Sequence, residues 1–395
     1  MTGTIPRPAD DRAGPMTGRP GNLAATAVLV THNSARHVTD AVAPLLRAGL
    51  TVRVVDNNST DRTVALLGER FPEVAAIANP RNVGFAAAVN QALAGCVDDV
   101  VLVVNPDCVL PAAAARELVG FLRAHPAVGI VGPRLVDGDG RPAISAHPFE
   151  TLTSVVLSRF GGTLVPVPVR RLFGGPRRRA AYDACRIPPE AVIPGTAGAG
   201  PVSVDWLSGA CLAVRRDLLD RTGGLDEGYF MYYEDEELCL QAHRLGADVV
   251  LLPAVTARHT GGGSSADPRW IWPHLYRSML RFFARHRRPT YQAVRLVVLL
   301  RALLGAGLAA VRLAVSPHSG LARLRAWSTI VRLTATASPS PLAATQSPSP
   351  HAATESPSLH AATESPSPLA GTAPPSRPAG AATPASAEGS HRCTS

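Results

Sequence analysis

The chain has 395 residues, of which 46% are hydrophobic, and a formal net charge of +9. This length allows one large domain or two small ones, and the apolar content excludes a chain that is disordered throughout. The six cysteines never form a Cys-x-x-Cys pair. Their spacing argues against a zinc site and is typical of reduced thiols in the cytosol.

The two ends of the chain differ in composition from the middle. Residues 1–22 are rich in Pro, Gly and Arg without apolar periodicity, which predicts a disordered leader. They lack the apolar stretch of a secretory signal, so we expect a cytoplasmic protein. Residues 334–395 carry a nine-residue Ser/Pro/Ala/Thr repeat. Such dense prolines cannot sustain a helix, so this segment is predicted to be a disordered tail.

Short apolar runs alternate with amphipathic stretches from Ala24 onward. The apolar runs predict strands at residues 28–30, 52–55, 74–78, 100–104 and 128–131. The amphipathic stretches predict helices at 35–47, 62–70, 85–94 and 111–125. This alternation predicts βαβ units, an α/β fold and a mainly parallel central sheet. Ligands of such sheets bind at the carboxyl ends of the strands.

The second half of the chain is less regular. Residues 140–200 are rich in Gly, Pro and Arg and show no clear period. Beyond them the pattern predicts a Gly223-Gly224 turn, an acidic cluster at 234–237, a helix through 238–245 and a strand at 249–252. Gly246 suits the left-handed position that ends a helix.

Polar side chains follow three of the predicted strands: Thr31-His32-Asn33-Ser34, Asp56-Asn57-Asn58-Ser59 and Asn105-Pro106-Asp107. Carboxylate and amide groups in the second run can bind a pyrimidine and a ribose. The alternative is a turn followed by a helix N-cap at Thr60. A carboxylate in the third run can hold a divalent cation, and its alternative is a turn with Asp107 capping the next helix.

Glu234-Asp235 begins a predicted helix after the aromatic run 229–233. A carboxylate at a helix N-terminus is stabilised as an anion, and beside an acceptor hydroxyl it can act as a general base. The alternative is a row of surface acids that complements the helix dipole. Glu236 is expected to be solvated. His259 and the loop 261–265 offer groups for phosphate or metal, although a lone His is more often structural and the loop lacks the Lys of a Walker-type cradle.

Taken together, these motifs resemble the family 2 glycosyltransferases of the GT-A fold. The similar blocks occur in the family's order at residues 30–34, 55–61, 82–92, 105–107, 206–216 and 223–235. The resemblance covers residues 24–265. Its last two blocks are most similar to the rhamnosyltransferase branch, which includes enzymes that extend a GlcNAc-diphosphoryl-polyprenol in cell-wall linker assembly.

The resemblance implies a glycosyltransferase domain at 23–267, with a nucleotide-binding half at 23–135 and an acceptor half at 200–267. It implies an inverting enzyme that uses Mg²⁺ or Mn²⁺ and transfers a sugar, rhamnose being one candidate, from a dTDP- or UDP-linked donor. The acceptor would be a lipid-linked glycan in cell-envelope polysaccharide synthesis.

The resemblance also implies roles for individual residues. Nucleotide contacts would come from Thr31, Asn33, Asp56 and Asn57, and the donor wall from Asn82, Gly84 and Asn90. Asp107 would hold the metal, with Asn105 in place of the family's first carboxylate. Asp235 would be the catalytic base, with Glu234 as its partner. The donor sugar and acceptor would meet near Trp206, Ser208 and Gly209, and His259 would lie close by.

Two positions depart from the branch. Glu237 stands where Asp is usual, and Gln241 stands where Arg is common. Arg244 offers a replacement cation one turn later. These departures leave the chemistry intact but leave the donor and acceptor open.

Residues 268–333 form a predicted amphipathic helical region. Twelve Arg and no Asp or Glu lie between Arg269 and Arg332. The apolar run 296–311 has 16 residues, below the ~20 of a spanning helix. We therefore expect helices in the interface of an anionic membrane, at its inner face. Packing onto the catalytic domain is the alternative. Nucleic-acid binding is not expected, because aromatic platforms and known modules are missing.

Two other functions share this kind of sheet. A non-catalytic nucleotide-sugar binding protein would not need Asp107 and Asp235. A sugar nucleotidyltransferase would need a Gly-rich loop with Arg or Lys directly after the first strand, whereas Thr31-His32-Asn33-Ser34 occupies that place.

Overall fold

The computed structural model describes residues 23–161, 200–261, 268–313 and 316–336. The predicted leader, residues 262–265 of the glycine-rich loop and residues 337–395 of the predicted tail lie outside these ranges.

The described strands follow the predicted alternation and add several short ones. They are β1 Thr26–Thr31, β2 Thr51–Asp56, β3 Ala75–Ala78, β4 Val100–Val104, β5 Cys108–Val109, β6 Val128–Val136, β7 Ala146–His147, β8 Val202–Ser203, β9 Trp206–Leu207, β10 Cys211–Arg215 and β11 Asp248–His259. Within the described ranges, nine of them form one sheet in the order β3-β2-β1-β4-β10-β6-β11-β5, with β8 paired to β11. Strands β7 and β9 form a separate pair.

The helices connect the strands and then continue beyond the sheet. They are α1 Val38–Arg47, α2 Thr63–Arg70, α3 Phe85–Leu93, α4 Ala112–Ala124, α5 Leu152–Val156 with a π-helical turn Leu157–Gly161, α6 Arg216–Thr222, α7 Glu234–Arg244, α8 Pro268–His286, α9 Arg288–Leu313 and α10 Pro317–Thr336. The α/β architecture is therefore that of the predicted GT-A fold. Helix α10 continues to Thr336, so the segment predicted as a tail from 334 begins with helix.

Strand β1 explains why the sheet is covered on both faces. All six of its residues are buried. Ala27 and Leu29 join the hydrophobic core on one face, and Val28 and Val30 join the core on the other. A nearly continuous apolar run of this kind is typical of a parallel strand between two helical layers. β1 pairs in parallel with β2 and β4, so their carboxyl ends lie along one edge.

Strand β10 was not predicted, and it positions half of the site. It runs antiparallel between β4 and β6, with Cys211 opposite Val104. Because β10 begins where β4 ends, the residues before it lie at the carboxyl edge. There the amide of Asn105 donates to the carbonyl of Ala210 at 2.9 Å.

Helices α8, α9 and α10 share a third apolar core, which includes Phe282, Phe283 and Trp327. Charged contacts join this core to the α/β domain, because Asp226 pairs with Arg281 and Arg285 at 2.8 Å each. Helix α9 extends well beyond the predicted run 296–311. Within the described chain it alone is long and apolar enough to cross a membrane, and 28% of its apolar window is buried.

Candidate active site

A cavity of about 580 Å³ lies at the carboxyl ends of β1, β2 and β4 and is closed on one side by α8. Its lining brings together ten of the residues singled out from the sequence: Asn57, Asn82, Asn105, Asp107, Trp206, Ser208, Gly209, Glu234, Asp235 and His259. The two acids on which the sequence analysis depends, Asp107 and Asp235, therefore share one cavity although they are far apart in the chain.

Three of the residues expected to contact a nucleotide, Thr31, Asn33 and Asp56, are not among the lining residues. Asp56 is buried and accepts hydrogen bonds from the Thr31 hydroxyl at 2.7 Å and from the amide of Ser59 at 2.8 Å. Asn33 has a left-handed backbone, with φ at 53°, and its Oδ1 accepts from the amide of Thr60 at 2.8 Å. These side chains fix the shape of the two loops after β1 and β2. Their direct contact with a nucleotide stays a prediction.

The N-cap of helix α2 differs from the predicted one. The helix begins at Thr63, and Thr60 is not its cap. The N-cap is Arg62, whose side chain makes no capping hydrogen bond, and the Oδ1 of Asp61, the residue before it, accepts from the amide of Thr63 at 3.0 Å.

The expected donor wall is joined to the loop that precedes the acidic cluster. The side-chain amide of Asn57 donates to the carbonyl of Gly84 at 3.0 Å. Gly84 has φ at 92°, and a Cβ there would lie 2.7 Å from the carbonyl oxygen of Phe230. The side chain of Asn90 pairs with the main chain of Leu225 in both directions, at 2.8 and 2.9 Å. Gly84 and Asn90 thus lie outside the lining and hold the loop 223–233 in place.

Asp107 and His259 face each other at one end of the cavity. The Asp107 Oδ1 lies 3.2 Å from the His259 Nε2, and the Asp107 side chain is 11% exposed. Burial raises the pKa of Asp107, but the hydrogen bond and charge of His259 outweigh it, so the pKa is lowered. The pair therefore offers one anionic oxygen and one imidazole nitrogen. Within the described ranges, no third His, Cys, Asp or Glu completes a metal cluster around them.

Asp235 is held by main-chain donors at the start of α7. Its Oδ2 accepts from the amide of Gly209 at 2.8 Å and its Oδ1 from the amide of Glu236 at 2.9 Å. Burial raises the pKa of Asp235, and these amides oppose the shift. Each carboxylate oxygen keeps a second lone pair, so the group can still accept a proton from a ligand in the cavity.

Glu234 and Glu236 are both buried beside Asp235, at 8% and 2% exposure. The expectation that Glu236 is solvated is therefore wrong, since its Oε1 accepts from the amide of Glu150 at 2.8 Å. Burial raises the pKa of Glu234 well above its usual range, and the charge of Asp235 adds to the shift. Glu234 Oε2 has no hydrogen-bond partner among the described residues. The pair thus favours an ionised Asp235 next to a protonated Glu234.

The turn before α7 aims these acids into the cavity. Tyr232 and Tyr233 both have left-handed backbones, with φ at 69° and 70°. Such angles are costly for aromatic residues and persist where surrounding contacts fix them. Here the Tyr233 hydroxyl donates to Glu150, and the Ser278 hydroxyl on α8 donates to the carbonyl of Met231 at 2.8 Å.

Trp206 contributes an aromatic ring to the cavity lining. Its ring stacks on His147 with centroids 4.1 Å apart, and its Nε1 donates to the carbonyl of Pro148 at 2.9 Å. Burial lowers the pKa of His147 to about 4, so this imidazole is neutral at physiological pH. A neutral stacked pair of this kind suits a sugar ring better than an anion.

Glu237 contacts Gln241, the other position that departs from the branch. Glu237 is buried, accepts from the Tyr229 hydroxyl at 3.0 Å and from Gln241 at 2.9 Å, and pairs with His286 on α8. Arg244 lies 2.9 Å from the other nitrogen of His286. Glu237 and Gln241, which differ from the residues usual in the branch, therefore contact each other, and Glu237 joins α7 to α8 through His286.

Sequence reasoning missed several residues that line the cavity. They are His32, Glu150, Arg159, Trp270, Ile271 and Leu275. His32 lies in a motif that was singled out, and its position before Asn33 was a usable signal. Glu150 and Arg159 belong to the aperiodic stretch 140–200, where no pattern marked them.

Comparison with known proteins agrees with this geometry. Residues 26–178 match the family described as Glycosyl transferase family 2. The N-acetylglucosaminyl-diphospho-decaprenol L-rhamnosyltransferase of Mycobacterium tuberculosis is 29% identical over 67% of this chain and 81% of its own length. The rhamnosyltransferase WbbL of Escherichia coli is 35% identical over 26% of this chain and 37% of its own length.

Among solved structures, this chain is similar to the mannosyltransferase PcManGT of Pyrobaculum calidifontis in complex with GDP-Man and Mn²⁺. It is 18% identical, covers 82% of this chain and 91% of its own, and has a TM-score of 0.42. The family match and the rhamnosyltransferase relatives favour a glycosyltransferase over the two other functions considered from the sequence. The chain carries a glycosyltransferase family 2 domain, is similar to rhamnosyltransferases of that family, and is a glycosyltransferase.

Proposed function

We propose that the protein is an inverting rhamnosyltransferase that transfers rhamnose from a dTDP-linked donor to a GlcNAc-diphosphoryl-polyprenol in cell-envelope polysaccharide synthesis. The observation that carries the proposal is the shared cavity of Asp107 and Asp235. The donor and acceptor come from the relatives, whose names specify rhamnose and, for the mycobacterial enzyme, a lipid diphosphate that bears N-acetylglucosamine.

In the proposed reaction, Asp235 takes the proton of an acceptor hydroxyl while that oxygen bonds to the anomeric carbon of the donor sugar. The bond from this carbon to the diphosphate breaks on the opposite face, and the nucleoside diphosphate leaves with the electron pair. One displacement inverts the carbon. Glu234, which burial keeps protonated, is free to donate a hydrogen bond to a substrate oxygen. General-base catalysis of this kind accelerates reactions by roughly 10²–10⁴-fold.

Asp107 and His259 fit a divalent cation. Hard ions such as Mg²⁺ and Mn²⁺ use few protein ligands in phosphate-handling enzymes and complete their shell with phosphate oxygens and water. One carboxylate oxygen 3.2 Å from an imidazole nitrogen matches that demand. A cation held there would stabilise the charge of the departing diphosphate.

A membrane location for the acceptor is supported by the outer surface of α9. Six large apolar side chains on that helix are at least half exposed, and we call them the leucine stripe: Leu296, Leu300, Leu303, Leu304, Leu308 and Val311. They lie along one face, and the opposite face packs through Tyr291, Val298 and Ala302. The helical region carries arginine and no acid, which favours the anionic inner face of a membrane. Because one face is covered by the domain, we propose a helix that lies in the interface.

The test is a screen of purified full-length protein with dTDP-rhamnose and UDP-linked sugars against a short-chain GlcNAc-diphosphoryl-prenol. We expect release of dTDP, formation of a rhamnosylated product and an inverted anomeric centre by NMR. Turnover of UDP-GlcNAc in place of dTDP-rhamnose would show that dTDP-rhamnose is not the donor. Transfer only to acceptors that lack the lipid diphosphate would show that GlcNAc-diphosphoryl-polyprenol is not the acceptor.

Metal dependence gives a second prediction. Asp107→Ala should lower turnover about 100-fold in Mg²⁺ or Mn²⁺, because cation stabilisation of a leaving group contributes several kcal/mol. In EDTA the variant and the parent should be equally slow. Asp139→Ala, a change at an exposed acid outside the cavity, is the matched control. Turnover of Asp107→Ala that matches the parent in metal would refute this role.

A further inference from the structure

The charge of the cavity wall is unbalanced. Among the described residues that line it there are five carboxyl groups and a single guanidinium, Arg159. Under the proposed function, two diphosphates enter this space, one on the donor and one on the acceptor. The donor diphosphate has the Asp107–His259 end of the cavity and the cation that fits there. The acceptor diphosphate needs its own cation, because buried carboxylates repel phosphate strongly.

Arg159 contacts residues other than the Asp107–His259 pair. It belongs to the π-helical turn after α5, and its guanidinium lies 5.2 Å from the ring centroid of Tyr276 on α8. Its charge also reaches Glu150, whose carboxyl accepts from Tyr233, the residue before Glu234. This chain of contacts links Arg159 both to α8 and to the residue before the catalytic acids.

The guanidinium of Arg159 has at least one N–H donor without a hydrogen-bond partner among the described residues. This donor is the Nε, which is buried. Guanidinium groups bind phosphate through parallel N–H donors, and they combine this with packing on aromatic faces. The contact with Tyr276 is therefore compatible with binding of a diphosphate by the same guanidinium.

Apolar side chains line the same cavity as Arg159. They include Trp270, Ile271 and Leu275 of α8. Phe160, the next residue in the chain, is 40% exposed. The turn that carries Arg159 and the preceding α5 both contact α9, the helix with the leucine stripe. A prenyl chain attached to a diphosphate at Arg159 would thus meet apolar side chains on its way to the membrane.

We propose that Arg159 is the binding residue for the acceptor's diphosphate, with Trp270, Ile271 and Leu275 contacting the first prenyl units. This inference rests on the proposed function. It orders the acceptor along the cavity: the sugar lies at Asp235, the diphosphate at Arg159 and the lipid along α8.

The test compares Arg159→Ala, Arg159→Lys and the parent with two acceptors, a short-chain GlcNAc-diphosphoryl-prenol and an alkyl GlcNAc glycoside without phosphate. We expect Arg159→Ala to raise the KM for the diphosphate acceptor by about 10- to 100-fold, the effect of one lost charge-assisted contact. The kcat, the donor Kd and the KM for the glycoside should stay within about two-fold of the parent. Arg159→Lys should recover part of the loss. Arg277→Ala, which removes an exposed arginine of α8 outside the lining, is the matched control.

Binding of the diphosphate acceptor without donor, followed by tryptophan fluorescence, separates this inference from the proposed function. If the parent binds that acceptor but transfers nothing to it, the proposed function fails while the effect of Arg159→Ala on binding still decides the inference. An Arg159→Ala variant that weakens donor binding instead would assign Arg159 to the donor. Equal losses with both acceptors, or no loss, would overturn the inference as well.

Discussion

Asp235→Asn should lower the rate of sugar transfer by roughly 10²–10⁴-fold while the donor still binds. The amide cannot take a proton from an acceptor hydroxyl, but it occupies the same volume in the buried pocket. It also keeps one acceptor oxygen for the amide of Gly209 or of Glu236, so the turn before α7 should survive. Transfer is measured by dTDP release in single-turnover and steady-state experiments, and donor affinity by calorimetry.

The control is Asp248→Asn, the same change at an exposed acid at the start of β11. It should keep parental turnover and donor affinity. If Asp235→Asn also keeps turnover, Asp235 is not the base. If the Asp235→Asn variant loses donor affinity together with turnover, Asp235 contributes to donor binding.

The pH dependence of the parent follows from the same buried carboxyl. Burial raises the pKa of Asp235 above its usual 3.8, and below that raised pKa the group is protonated and cannot act as a base. The value of kcat/KM should therefore fall on the acid side through a pKa higher than that of an exposed aspartate. Burial of Glu234 raises its pKa in the same direction, so the acid limb reports on the Glu234–Asp235 pair.

The first half of the fold was predictable because its signals are local. Each of β1, β2 and β4 is an apolar run that ends in polar residues, and parallel strands bring those ends to one edge. Strand β10 was missed for the opposite reason. Its partners β4 and β6 are distant in sequence, so nothing in residues 211–215 indicates that they lie in the middle of the sheet.

The site was predicted through the family resemblance more than through local pattern. An isolated Glu234-Asp235 fits a surface helix start as well as it fits a base. The burial of Glu236 depends on Glu150, which the aperiodic stretch 140–200 supplies. The predicted apolar run 296–311 already spans Arg301, and helix α9 extends beyond both of its ends, where Arg295 and Arg312 had marked the limits of the run. In the structure the guanidinium of Arg301 lies 4.7 Å from the ring centroid of Trp327 on α10, so the helix continues through it.

Replacing Leu300, Leu304 and Leu308 together by Glu should release the protein from vesicles that contain anionic lipid. These three members of the leucine stripe are 50%, 51% and 57% exposed, so each has about half of its surface available to lipid. Burying that half contributes on the order of 1 kcal/mol per side chain, and the new carboxylates are repelled by the anionic leaflet. The partition coefficient, measured by flotation, should fall at least ~100-fold.

A matched triple variant tests whether the position of the change matters. Val64→Glu, Val97→Glu and Ile144→Glu alter charge and apolar surface in the same way, at exposed positions outside the helical region. This variant should float with the vesicles as the parent does. Equal flotation of the stripe variant and the parent would contradict the interfacial role of α9. Loss of binding by both variants would attribute the effect to net charge alone.

Catalysis should separate from membrane binding in the same stripe variant. The leucine stripe lies on the face of α9 that is turned away from the packed helices, and none of its members lines the cavity. Turnover of a water-soluble short-chain acceptor should therefore stay at the parental rate. Turnover of a long-chain acceptor embedded in vesicles should fall in proportion to the lost partitioning, because the enzyme then meets its acceptor only from solution. A parallel loss with both acceptors would mean that α9 supports the fold of the site instead of delivering the enzyme to the lipid.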